Sequence, residues 1–91
     1  MKDIDDWRRE IDAVDARLVA LLNERARCVV EIGKLKGAQG LPVHAPGRES
    51  EVIARWRELT AGGPLDGDAI ERLFRAVLAE SYRVEDQHVT R

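Results

Sequence analysis

Ninety-one residues, 44% apolar and 35% charged, describe one small domain with a modest core. A net charge of −2 with no Lys/Arg tract gives no electrostatic reason to expect nucleic acid or an anionic membrane as partner. One cysteine excludes an internal disulfide, and Cys28, His44 and His88 do not make a zinc set, so no metal site is expected. The first residues carry no apolar signal core and no run approaches membrane-spanning length, which reads as a cytoplasmic protein. Leu, Ala, Val, Arg and Glu dominate, and strand-forming runs are missing, so the expected class is all-α.

The spacing predicts a first helix from Ile4 to Lys36. Ile4, Trp7, Ile11, Val14, Leu18, Leu21, Cys28, Ile32 and Leu35 recur at threes and fours and so share one face. Cys28 on this seam reads as a small buried thiol. Between Leu21 and Cys28 the seam supplies Arg25, a guanidinium that needs an anion if it is buried. Asp3, Asp5 and Asp6 suit the positive end of the helix dipole, and Gly37, Gly40 and Pro42 are expected to stop the helix. Such a helix is ~33 residues and ~50 Å long. A compact chain of this size has a radius of gyration of roughly 12 Å. Much of the seam is then wet unless another chain covers it, which predicts an antiparallel homodimer with the first helix paired against its partner.

Residues 37 to 47, with three glycines and two prolines, form a loop. A short second helix begins around Pro46, carries Val52, Ile53, Trp56 and Leu59 inward, and ends at Thr60 to Pro64. A third helix, intermediate in length, starts near Asp66 as N-cap, with Ile70, Leu73, Phe74, Val77 and Leu78 as its apolar stripe. From about Gln87 to Arg91 the chain is expected to fray. Residues 1–91 thus read as a single helical domain of three helices.

Polar groups interrupt the inward faces at Arg25, at Lys36 about three turns later, at Arg48 and Glu49, and at Ser81 with Glu85. These residues either pair with one another, Arg25 meeting Glu49 or Glu85, or leave surplus positive charge for a small dianion. Arg17, Arg27, Arg55, Arg57, Arg72, Arg75 and Arg83 fall on solvated faces. Arg8 lies about 25 Å from Arg25 along the helix, so within one chain the two cannot share a small site. An antiparallel pair brings Arg8 of the partner subunit towards Arg25. No nucleophile–base pair, phosphate loop or GxGxxG is visible, so any chemistry must run on binding and electrostatics.

Trp7 to Asp15, Leu21 to Arg25, Glu31 to Lys36, Pro42-Val43 and Arg48-Glu49 together resemble the all-helical chorismate mutases, over about Ile4 to Glu85. The resemblance implies an intertwined all-α homodimer with two sites. It also implies the pericyclic rearrangement of chorismate to prephenate, in phenylalanine and tyrosine biosynthesis, with no cofactor, metal or covalent intermediate. On this resemblance Arg8 from the partner, Arg25 and Arg48 bind substrate carboxylates, Lys36 bonds the ether oxygen, Glu49 receives the ring hydroxyl, Ser81 touches a carboxylate and Glu85 touches the ether oxygen. The family's Asp-Pro-x-Arg-Glu before the second helix is Ala45-Pro46-Gly47-Arg48-Glu49 here, so no side-chain contact is expected from position 45 and Gly47 is expected to loosen the first turn. An ionised Glu85 cannot donate a hydrogen bond, which predicts turnover that falls as pH rises. Isochorismate pyruvate-lyase and aminodeoxychorismate mutase use similar pockets, and a non-catalytic dimeric interaction domain is the reading from another class.

Overall fold

A computed structural model describes residues 1–43 and 45–89, with Pro46 described by its backbone. The histidine at position 44, named above against a zinc set, and the last two residues of the expected fraying lie outside the described residues. Three helices follow one another: α1 (Ile4–Gln39), α2 (Pro46–Leu59) and α3 (Gly67–His88).

Helix α1 begins at a reciprocal cap. The Asp6 amide donates to Asp3 Oδ1 at 2.8 Å, and the Asp3 amide donates to Asp6 Oδ2 at 3.1 Å. Two orphan donors of the first turn are thereby satisfied. Its far end corrects the expected stop at Lys36: the helix runs on to Gln39. A helical glycine costs only ~1 kcal/mol, so Gly37 does not end it. Termination falls at Gly40, whose φ of 70° is left-handed. There the Leu41 amide closes onto the Lys36 carbonyl at 2.9 Å.

Helix α2 starts with Pro46 at its first turn, and its N-cap Ala45 supplies no side-chain bond. Helix α3 is capped as expected, the Ala69 amide donating to Asp66 Oδ1 at 2.8 Å. It stays helical to His88, where fraying was expected. The His88 ring holds the Val84 carbonyl at 2.8 Å.

Helix α3 is the middle element, packed on α1 along one side and on α2 along another. Phe74 is fully buried, with the Trp56 ring centroid 4.8 Å away, and Val29 of α1 is the other buried apolar side chain among the described residues. Gly33 lets the two long helices close up: a Cβ there would lie 3.1 Å from the Glu85 carbonyl oxygen. Arg57 is exposed, as its solvated face predicts, and is also paired. It joins α2 to α3 through Asp68 at 2.5 Å and Glu71 at 2.9 Å, which raises its pKa.

The apolar seam of α1 is not the face that meets α3. That face is Arg25, Val29, Gly33 and Lys36, a neighbouring stripe at spacings of three and four. Ile4, Trp7, Ile11, Val14, Leu18 and Leu21 remain about half exposed or more, and Cys28 is exposed, correcting its reading as a buried thiol. Leu59 and Leu73, expected to face inward, are also exposed. The radius of gyration is 16.4 Å and the long dimension 57 Å, well beyond the roughly 12 Å radius of a compact chain. Among the described residues no helix is long and apolar enough to cross a membrane.

Candidate active site

A cavity of about 160 Å³ opens where α1, the loop after it, the start of α2 and the second half of α3 converge. Six of the seven residues singled out from the sequence line it: Arg25, Lys36, Arg48, Glu49, Ser81 and Glu85. The seventh, Arg8, is exposed near the other end of α1, 3.5 Å from Asp5, and takes no part in the cavity within one chain.

Arg25 is half-buried. Its Nη1 donates to Ser81 Oγ at 2.6 Å, and Ser81 Oγ donates in turn to the Val77 carbonyl at 2.9 Å. Its guanidinium carbon lies 5.7 Å from the Phe74 ring centroid. Among the described residues it has no carboxylate partner, so of the two readings left open by the sequence the pairing with Glu49 or Glu85 does not form. Burial, then the positive charge of Arg48, lower its pKa from the ordinary guanidinium value, with Cys28 acting the other way. A guanidinium stays charged under such a shift.

Lys36 takes one of the two carboxylates. Its Nζ lies 2.8 Å from Glu85 Oε1 and donates to the Val43 carbonyl at 2.7 Å. Glu85 is buried, with a side chain only 7% exposed. The ammonium is close to Oε1 but outside hydrogen-bond directionality, so this buried oxygen lacks a well-aligned donor. The second carboxylate, Glu49, accepts from the Tyr82 hydroxyl. Arg48 stands at the rim, mostly exposed, 3.3 Å from Glu51. Among the described residues no group of His, Cys, Asp and Glu is arranged to hold a metal ion.

Three cations thus face two carboxylates, and Arg25 remains available to an anion from solution. The pattern of helical spacing did not reveal Tyr82, Val29 or Gly33 as cavity or contact residues. Tyr82 is the only tyrosine of the chain and follows Ser81 directly; Gly33 is a glycine inside a helical run, a position that calls for a packing reason.

A family model described as chorismate mutase type II matches residues 7–86. The chain is 33% identical over 88 residues, 93% of its length, to a bifunctional chorismate mutase/prephenate dehydratase of Aquifex aeolicus, and that match covers 24% of the relative. It is 44% identical over 78 residues, 86% of its length, to a protein of the same name from Neisseria gonorrhoeae, covering 21% of it. The chain therefore spans about a quarter or less of these relatives. Among solved structures, a chorismate mutase of Thermus thermophilus superposes with a TM-score of 0.90 at 34% identity, over 98% of this chain and 100% of that one.

Proposed function

This chain belongs to the type II chorismate mutase family, and from that premise we propose that it rearranges chorismate to prephenate in aromatic amino acid biosynthesis. The observation that carries the reading is the convergence of Arg25, Lys36, Arg48, Glu49, Ser81 and Glu85 on one cavity with surplus positive charge. Residues 1–91 act as one mutase unit, at work in the cytoplasm; the lone cysteine fits a reducing compartment.

The substrate is a dicarboxylate. Arg25, Arg48 and Ser81 grip its carboxylates and hold it folded, with the bond-forming carbons facing each other. As the C–O bond stretches, negative charge gathers on the ether oxygen. Lys36, half-buried beside Val43, stabilises that charge more than it stabilises the ground state. Glu85 reaches the same oxygen and helps when it carries a proton to donate. Glu49 accepts the ring hydroxyl. No covalent intermediate, metal or cofactor is called for.

A second copy of the chain completes the site. The uncovered α1 seam supports this, as does the position of Arg8, remote from the cavity of its own chain. Fully burying an aliphatic side chain stabilises by ~1.5–3 kcal/mol, so covering a run of half-exposed ones offers on the order of 10 kcal/mol per chain before the entropy of association. With all five charged groups ionised, the cavity of one chain holds one net positive charge. Arg8 of the partner subunit raises that to two and matches a dicarboxylate.

The test is loss of chorismate absorbance on adding the protein, against Arg25→Ala. Wild type accelerates the loss, and the variant drops kcat/KM by roughly 10²–10³ on removal of a charge-assisted contact. No acceleration by wild type removes the mutase reading and leaves a binding or interaction domain. Isochorismate and aminodeoxychorismate are assayed beside chorismate, and preference for either moves the assignment within the same fold. Glu49 favours chorismate, since it supplies an acceptor for a ring hydroxyl.

A further inference from the structure

Tyr82 is not among the residues that carry charge or grip carboxylates, yet it sits in the cavity wall. It lies on α3 between Ser81 and Glu85, half-buried, and its hydroxyl donates to Glu49 on the first turn of α2. That turn has its backbone bonds, the Arg48 and Glu49 amides donating to the Ala45 carbonyl at 3.0 and 3.1 Å, but little side-chain support: its cap residue Ala45 makes no side-chain bond, and Gly47 contributes no side chain to pack. The direction of the Glu49 carboxylate therefore depends on a hold from another helix. Burial first, then the bond to Glu49 and its charge, push the Tyr82 phenol up to about 12, so the hydroxyl remains a donor through the physiological range.

We infer that Tyr82 is a positioning residue: by holding one oxygen of Glu49 from α3, it keeps that carboxylate turned to the cavity as the acceptor for the substrate's ring hydroxyl. The inference rests on the mutase reading above. A contact to a ring hydroxyl that takes no part in bond making is present in ground and transition states alike, so its loss appears in KM rather than in kcat.

The experiment is a double-substitution cycle read by chorismate consumption in wild type, Tyr82→Phe, Glu49→Ala and the pair, with thermal unfolding followed for each. Tyr82→Phe keeps the ring and its packing. It is expected to raise KM roughly three- to tenfold with kcat held within about twofold, the loss of one hydrogen bond to a charged group. In the Glu49→Ala background the same change should alter kcat/KM by less than about twofold, because the residue it acts through is gone. An unchanged KM in Tyr82→Phe overturns the inference. So does an effect that persists undiminished in the Glu49→Ala background, or a lower unfolding midpoint with KM intact, either of which makes the tyrosine a plain tie between α2 and α3. If wild type itself leaves chorismate untouched, the mutase reading falls and takes this inference with it; an active wild type with an indifferent Tyr82→Phe removes the inference alone.

Discussion

From Ile4 to Leu21, α1 exposes its apolar side chains; from Arg25 to Lys36 it turns charged ones against α3. One helix thus carries two regions in which the usual order of inside and outside is reversed. The first region has apolar surface that nothing among the described residues covers. The second has cations whose fixed neighbours are a hydroxyl, a backbone carbonyl and one carboxylate. The contrast teaches that a helix pattern reports the surroundings a chain works in, which need not all come from that chain.

Substitutions that separate the two regions test this directly. The largest effect is expected from Leu18→Asp on the seam. Burying an unpaired carboxylate in a helix pair is costly enough to leave a monomer in sedimentation, with activity down by roughly a hundredfold or more. A fully active monomer would sever the link between seam and site. Next comes mixing. Arg8→Ala and Arg25→Ala should each be nearly inactive alone. Unfolded and refolded together at equal amounts, they should recover about a quarter of wild-type activity, since half the dimers are mixed and each mixed dimer regains one intact site. No recovery on mixing argues that Arg8 serves its own chain.

Smaller effects probe the charged region. In the proposed mechanism Glu85 helps at the ether oxygen only as a donor, a role open to the neutral carboxyl and closed to the carboxylate. Turnover should fall toward alkaline pH in wild type and stay level in Glu85→Gln, which donates at every pH. A wild-type profile as flat as that of the variant would sink the idea. The least change is expected at Gly33→Ala. Its new methyl meets the Glu85 carbonyl oxygen at 3.1 Å and Cγ at 3.3 Å. Displacing α3 costs about 1–3 kcal/mol, partly offset by ~1 kcal/mol of helix propensity, so the unfolding midpoint should drop by a few degrees. A rise in the midpoint would mean that α3 yields without strain.

Much of this architecture was legible in the residues. Pro46 and Asp66 mark helix starts by their chemistry, and the polar interruptions at Arg25, Lys36, Glu49, Ser81 and Glu85 lead to one cavity. What escaped detection has physical causes. Arg25 lies at the boundary between two adjacent stripes, and spacing alone does not say which one meets α3. Apolarity at Cys28 and Leu59 predicts burial but not by which chain, and both are exposed here. Gly37 reads as a stop signal, yet a glycine can stay helical, and here the left-handed residue that ends α1 is Gly40. The bond from Tyr82 to Glu49 joins residues far apart in the chain, where periodicity carries no information.

Lys36 is tied to the connection after α1 at two points. Its backbone carbonyl accepts from the Leu41 amide, and its side chain donates to the Val43 carbonyl. The connecting segment is therefore a spacer of set length between the helix end and the lysine nitrogen. A residue inserted between Gly40 and Val43 would leave all three helices intact and still shift that nitrogen. Tolerance to insertion, normally greatest in a surface connection, should here be among the lowest in the chain.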